Sequence, residues 1–242
     1  MRKIEVCCST PTEVIEAERA GATRVELCAA IGLGGITPSY GTIETAAKAT
    51  RHIDINVLIR CREGGFCYNS EEIDIMCRDI AYCHTQGIHG VVIGALTPEG
   101  DIDIPACRKM IEYAGDLSVT FHRAFDICNN GEKALESIIS LGCDRLLTSG
   151  MEATAEQGAA YIAQLIKQAA GRIIIMPGAG IKPNNIANIE RATYATEFHS
   201  TAATDISDSA FATQKLSFAA DLKGDGYLRR SSYEIIKALV NN

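Results

Sequence analysis

The sequence predicts a closed (β/α)8 barrel. Three observations carry that expectation: short apolar runs alternate with longer helical patterns from end to end, eight such pairs fit within 242 residues, and glycine recurs where a helical segment gives way to the next run. Alternating strands and helices imply parallel strands joined by crossover helices. Eight units in roughly 250 residues is the size of one barrel. A doubly wound sheet shares the alternation, but it calls for a glycine fingerprint after the first strand, and none is there.

The strand-like runs are 3–8, 24–29, 53–60, 90–96, 117–125, 145–149, 172–177 and 194–200. Between and after them lie helical patterns at 12–20, 40–49, 70–85, 104–113, 132–141, 155–169, 183–192 and 229–240. Gly21, Gly87, Gly115, Gly142 and Gly171 stand at helix exits, where a left-handed residue ends a helix. Ser70 before Glu71, and Pro183 in Lys-Pro-Asn-Asn, mark helix starts. The stretch 201–228 is polar and without clear period, and it reads as a long loop. With no linker in the chain, residues 1–242 are expected to form a single domain.

Composition narrows the function classes. Twenty-three Lys and Arg against thirty Asp and Glu give a net charge of −7, which argues against a nucleic-acid partner. No apolar run reaches the roughly 20 residues a membrane span needs, and Glu5, Glu13 and Glu16 interrupt any signal-like opening. A cytoplasmic protein is expected. The ten cysteines are scattered, with no Cys-x-x-Cys and no zinc-ligand spacing. Seven of them, Cys61, Cys67, Cys77, Cys83, Cys107, Cys128 and Cys143, read as small hydrophobes.

Barrel chemistry gathers at the C-terminal ends of the strands, and strand side chains alternate between faces. If Val6, Val25 and Leu27 face the outer helices, Glu5, Cys7, Glu26 and Cys28 face the interior. Buried carboxylates need partners, and Arg60 and Arg62 on the third strand are the expected cations. The fifth strand turns Thr120 and His122 to one face, with Arg123 and Asp126 at its rim, and the eighth turns Glu197 and His199 inward. Glu26, Arg60, His122 and His199 are therefore expected to converge at one mouth. A second feature is glycine-rich: Pro177-Gly178-Ala179-Gly180 after the seventh strand, with Ser200 and Thr201 after the eighth. Loops seven and eight are the usual phosphate cradle of such barrels, so Gly178, Gly180 and Ser200, with Arg62 reaching in, form a candidate anion site.

Six strings together resemble the CutC family, the copper homeostasis proteins. They are Val25-Glu26-Leu27-Cys28, Gly34-Gly35-Ile36-Thr37-Pro38-Ser39, Ile59-Arg60 with Arg62, Val119-Thr120-Phe121-His122-Arg123-Ala124-Phe125-Asp126, Leu146-Leu147-Thr148-Ser149-Gly150 and Glu197-Phe198-His199-Ser200. The resemblance runs from residue 4 to about 203. It implies a cytoplasmic (β/α)8 barrel, oligomeric, associated with copper tolerance and proposed to bind Cu(I), with no established reaction. The family typically has Ile-Arg-Pro-Arg-Gly-Gly-Asp-Phe where this chain reads Ile59-Arg60-Cys61-Arg62-Glu63-Gly64-Gly65-Phe66, so Glu63 is a candidate substitute for the missing Asp.

Two classes of function follow. In the first, Cys7 and Cys28, at equivalent positions on strands about 4.8 Å apart, share one Cu(I), because soft thiolates select that ion. In the second, an enzyme acts on a small phosphorylated or anionic substrate. Glu26, His122 and His199 would then be acid/base groups, and Arg60 and Arg62 would hold negative charge. The expected assembly is an even-numbered homo-oligomer, a homodimer or homotetramer.

Overall fold

The computed structural model describes residues 2–207 and 227–242. Its eight parallel strands are β1 (Lys3–Cys8), β2 (Arg24–Leu27), β3 (Asp54–Leu58), β4 (Gly90–Ile93), β5 (Ser118–Phe121), β6 (Arg145–Thr148), β7 (Ile174–Pro177) and β8 (Glu197–Ser200). They pair in the order β7-β6-β5-β4-β3-β2-β1-β8, so the last strand hydrogen-bonds to the first. At the seam β7 and β8 lie side by side without a ladder among the described residues. This is the sequential barrel that the alternation predicts.

Seven crossover helices surround the strands: α1 (Pro11–Ala20), α2 (Tyr40–Ala49), α3 (Ser70–Thr85), α4 (Ile104–Ala114), α5 (Gly131–Ser140), α6 (Ala159–Ala169) and α7 (Ile186–Thr193). An eighth, α8 (Tyr233–Asn241), packs against α1 and β1. Local chemistry starts several of them: the side chains of Thr10, Ser39, Asn69, Asp103 and Asn130 each accept a hydrogen bond from an N–H in the first turn. The glycines expected at helix exits have positive φ throughout, as at Gly21 (89°) and Gly171 (77°).

Strand parity divides the apolar residues as expected. Val6, Val25, Leu27, Phe121 and Phe198 join the helices in one large core. Cys7, Cys28, Leu58 and Val92 form a separate cluster inside the barrel.

The main departure concerns the stretch 201–228. It opens in a strand, β9 (Ala203–Ser207), which pairs antiparallel with β10 (Tyr227–Ser231); the expected loop between them lies outside the described residues. The last helix begins at Tyr233, not at 229, because the Ser231 N–H donates to the Glu13 carboxylate at 2.8 Å and Ser232 takes the N-cap position. Helix α6 also starts late. Residues 155–158 instead tie down the loop before it, with the Ala155 N–H donating to the Ala179 carbonyl at 3.0 Å.

Gly90 shows how tightly the strands approach at the bottom of the barrel. A Cβ there would lie 2.4 Å from Asn56 Oδ1 and 2.6 Å from the Ser118 carbonyl oxygen. The second neighbour is backbone of the adjacent strand and cannot swing aside. Gly90→Ala is expected to lower stability by about 1–3 kcal/mol, the range of an overpacked core. The check is a fall in the urea midpoint at unchanged slope.

Candidate functional site

The site is built from the bottom of the barrel upward. Glu5 sits in register with Arg24 on β2 and with His199 on β8. All three side chains point inward and are buried. One Glu5 oxygen accepts from Arg24 Nε, and the other lies 2.7 Å from His199 Nδ1. Arg24 also donates to Glu197 at 2.8 Å, and Glu197 accepts from Arg145 at 3.1 Å. Burial would raise the Glu5 carboxyl, but the His199 hydrogen bond and the Arg24 guanidinium outweigh it and hold it at about 2. Glu5 is ionised at any ordinary pH.

One step higher, Cys7 is in register with Glu26, and the Cys7 and Cys28 sulfurs lie 3.4 Å apart. Donor atoms of Cys7, Glu26 and His199 fall within 4.8 Å of one another. His199 Nε2 stands 3.8 Å from Glu26, so the ring bridges two carboxylates. Burial alone would push His199 down, yet Glu26 and Glu5 raise it above the ordinary imidazole value. The two carboxylates thus favour the protonated ring. Burial and the nearby Glu5 charge push Glu26 upward, against the pull of His199. The Cys7 thiol is pushed well up by its hydrogen bond with Cys28 and by burial.

Above the thiols, a cavity of about 930 Å³ opens toward the C-terminal ends of the strands. Arg60 and His122 form part of its wall. Arg60 donates to the carbonyls of Leu33, Gly35 and Gly64 at 3.1, 2.8 and 2.6 Å, so it fastens two loops together. His122 lies between Phe66, at 4.8 Å between ring centroids, and Gly94, where a Cβ would come within 2.4 Å of the ring. Its Nδ1 accepts from the Ala124 N–H at 3.1 Å, which leaves the hydrogen on Nε2. Burial and the Arg60 charge push its pKa down to about 3, so this histidine is neutral. The two buried histidines are shifted in opposite directions: carboxylates favour the proton on His199, while burial and the Arg60 guanidinium disfavour it on His122.

Of the residues expected from sequence, Cys7, Glu26, Cys28, Arg60, His122, Gly180, His199 and Ser200 all line this cavity. Three expectations need correction. The partners of Glu5 come not from the third strand but from Arg24 and His199. Arg62 does not line the cavity: it is clamped by Glu72 and donates to the carbonyls of Glu63, Gly65 and Cys67. In the candidate anion cradle two groups are already engaged. The Gly178 N–H donates to the Thr148 carbonyl at 2.9 Å, and Gly178 packs against Leu147 and His199. The Ser200 hydroxyl donates to the Ile181 carbonyl at 2.8 Å and accepts from Ala202. Glu63 also stays outside the cavity, and Cys67 is exposed and does not pack as a small hydrophobe.

Sequence reasoning passed over Arg24, although it shares the inward parity of Glu26. It also left the role of Asp126 undefined. That carboxylate accepts from the Thr148 hydroxyl, the N–H groups of Ser149 and Met151, and Arg123 Nε. The His-Arg-Ala-Phe-Asp and Thr-Ser-Gly strings thus meet as one clamp on the loop after β6.

Replacing Glu5 tests the buried lattice. Glu5→Gln leaves the Arg24 cation without its main counter-charge, and breaking a buried pair costs about 3–5 kcal/mol. The folded value of about 2 lies below the ordinary 4.5, so the carboxylate's contribution is complete above pH 4.5 and fades toward pH 2. Urea unfolding of both proteins is expected to show the full difference at pH 6 and a smaller one at pH 3. A difference that stays flat between those values would contradict the pairing.

With the geometry established, known proteins resembling the chain can be compared. The CutC family model matches residues 2–204. The family protein CutC of Parabacteroides distasonis is 55% identical over 201 residues, 83% of each chain. That of Bacteroides thetaiotaomicron is 45% identical over 228 residues, covering 94% of this chain and 92% of its own. The solved structure of a candidate copper homeostasis protein, CutC of Streptococcus agalactiae, superposes with a TM-score of 0.80 at 32% identity, covering 83% of this chain and 99% of that one. Phosphoribosyl anthranilate isomerase of Thermotoga maritima, 13% identical with a TM-score of 0.57 over 100% of this chain and 98% of that one, shares the fold alone. On the family match and these identities, the chain belongs to the CutC family.

Proposed function

We propose that this chain binds Cu(I) through Cys7 and Cys28 and works as a copper homeostasis protein. The observation that carries the reading is the contact between two inward thiols, 3.4 Å apart on adjacent strands. Soft sulfur donors select Cu(I) over the hard divalent ions, and two of them complete a two-coordinate site. Charge supports the same reading. Two thiolates around one Cu(I) carry a net single negative charge, and the His199 imidazolium beside Cys7 offsets it in a medium of low dielectric. Because two carboxylates favour the protonated His199 ring, the proposed donor set is sulfur alone.

The relationship to the Streptococcus agalactiae protein points the same way. Arg60 and His122 shape the cavity over the metal, and Glu26 stands beside it as a group able to take a thiol proton. A cytoplasmic location goes with the reading, since free thiols persist in reducing compartments; all ten cysteines are free. No helix among the described residues is long and apolar enough to cross a membrane.

Anaerobic titration of the reduced protein against a Cu(I) chelator tests the reading. About one copper per chain is expected, and Cys7→Ser together with Cys28→Ser should remove most of the binding. Because copper displaces thiol protons, and Cys7 holds its proton more firmly than a free thiol, affinity is expected to rise with pH between 6 and 8. Wild-type affinity in the double variant would overturn the assignment.

A further inference from the structure

How copper reaches the thiols can be read from the cavity above them. Cys7 and Cys28 are 7% and 1% exposed, at the bottom of a space of about 930 Å³. That volume admits a small molecule, whereas a metal held on the surface of another folded protein stays outside it. The cavity wall carries four cationic side chains, Arg60, Arg123, Lys182 and Arg229. Its carboxylates among the described residues are Glu26 and Asp126, and Asp126 is taken up by Arg123 and the loop after β6. The opening is thus positive on a chain whose net charge is −7. Such an opening repels a bare Cu(I) ion and draws in an anion.

His122 supplies a second, independent observation. It is buried, it lines the cavity, and its Nε2 has no hydrogen-bond partner among the described residues. A buried N–H donor without an acceptor is costly, and an oxygen of a ligand in the cavity answers it.

We infer that Cu(I) arrives as a small anionic thiolate complex whose carrier is a carboxylate-bearing thiol. Its carboxylates meet Lys182 and Arg229 at the mouth, and one carbonyl or carboxylate oxygen accepts from His122 Nε2. The inference rests on the copper reading above and adds the form in which the ion is delivered. In the carrier, one Cu(I) lies between two thiolate sulfurs. Cys7 and Cys28 replace them in turn: two sulfur–copper bonds form, two break, and the two cysteine protons leave on the carrier thiols. No electron moves, and the copper centre keeps one negative charge throughout.

The test compares loading rates from two carriers. Apo wild-type protein and the double variant Lys182→Glu, Arg229→Glu are mixed anaerobically with Cu(I) supplied by glutathione, which bears carboxylates, or by 2-mercaptoethanol, which bears none. Loading is followed by the ultraviolet thiolate–Cu(I) band. The variant is expected to load from glutathione roughly tenfold or more slowly than wild type, in line with electrostatic steering. From 2-mercaptoethanol, whose complex carries only the single negative charge of the copper centre, the variant's loss should be several-fold smaller, with the same final copper content, and added salt should slow wild-type loading from glutathione more than from 2-mercaptoethanol. An unchanged glutathione rate in the variant, or an equal loss with both carriers, overturns the carrier inference and leaves the thiol site standing. If wild type loads from neither carrier, the copper reading itself fails.

Discussion

A carboxylate buried on a barrel strand is tolerable only when both of its oxygens are answered, and Glu5 meets that condition from its two flanking strands. Arg24 comes from β2 and His199 from β8. The arrangement joins the first strand to the last, where the sheet closes, and it extends through Glu197 to Arg145 on β6. Buried ion pairs contribute modestly to net stability, because desolvation offsets most of the attraction. Their effect here is on position and charge. Glu5 fixes the His199 ring by its Nδ1 and, together with Glu26, favours its protonated form.

That imidazolium gives the thiol pair its character. Cys7, in contact with Cys28 inside an apolar shell of Leu58 and Val92, would otherwise hold its proton. A cation beside Cys7 lowers the cost of the anionic state that a bound Cu(I) requires. The same logic, inverted, governs the upper wall. Arg60 is anchored to three carbonyls, and burial together with its charge keeps His122 neutral, with Nε2 left without a partner among the described residues. One barrel thus holds a histidine biased toward its charged form beside the paired sulfurs and a neutral one in the cavity wall.

Much of this was legible before any coordinates. The repeated Glu-x-Cys pattern on the first two strands placed Cys7 and Cys28 together, because a period of two leaves only one inward face. The glycines at helix exits set the rhythm of the barrel. What stayed hidden depends on stagger between strands, which local pattern does not encode. Glu5 pairs with Arg24 because β1 and β2 are in that register, and nothing in either run alone distinguishes Arg24 from a solvated strand opening. Arg62 looked like an inward cation by parity, but β3 ends at Leu58, so alternation no longer applies four residues later. Likewise Leu228-Arg229-Arg230 alternates too briefly to announce β10, whose existence depends on its partner β9.

The most direct measurement is copper K-edge X-ray absorption on the Cu(I)-loaded protein near neutral pH. If Glu5 and Glu26 hold His199 as an imidazolium, the ion has two sulfur neighbours and no nitrogen in its first shell. A first shell containing imidazole nitrogen would show that His199 gives up its proton to the metal, and would contradict the account.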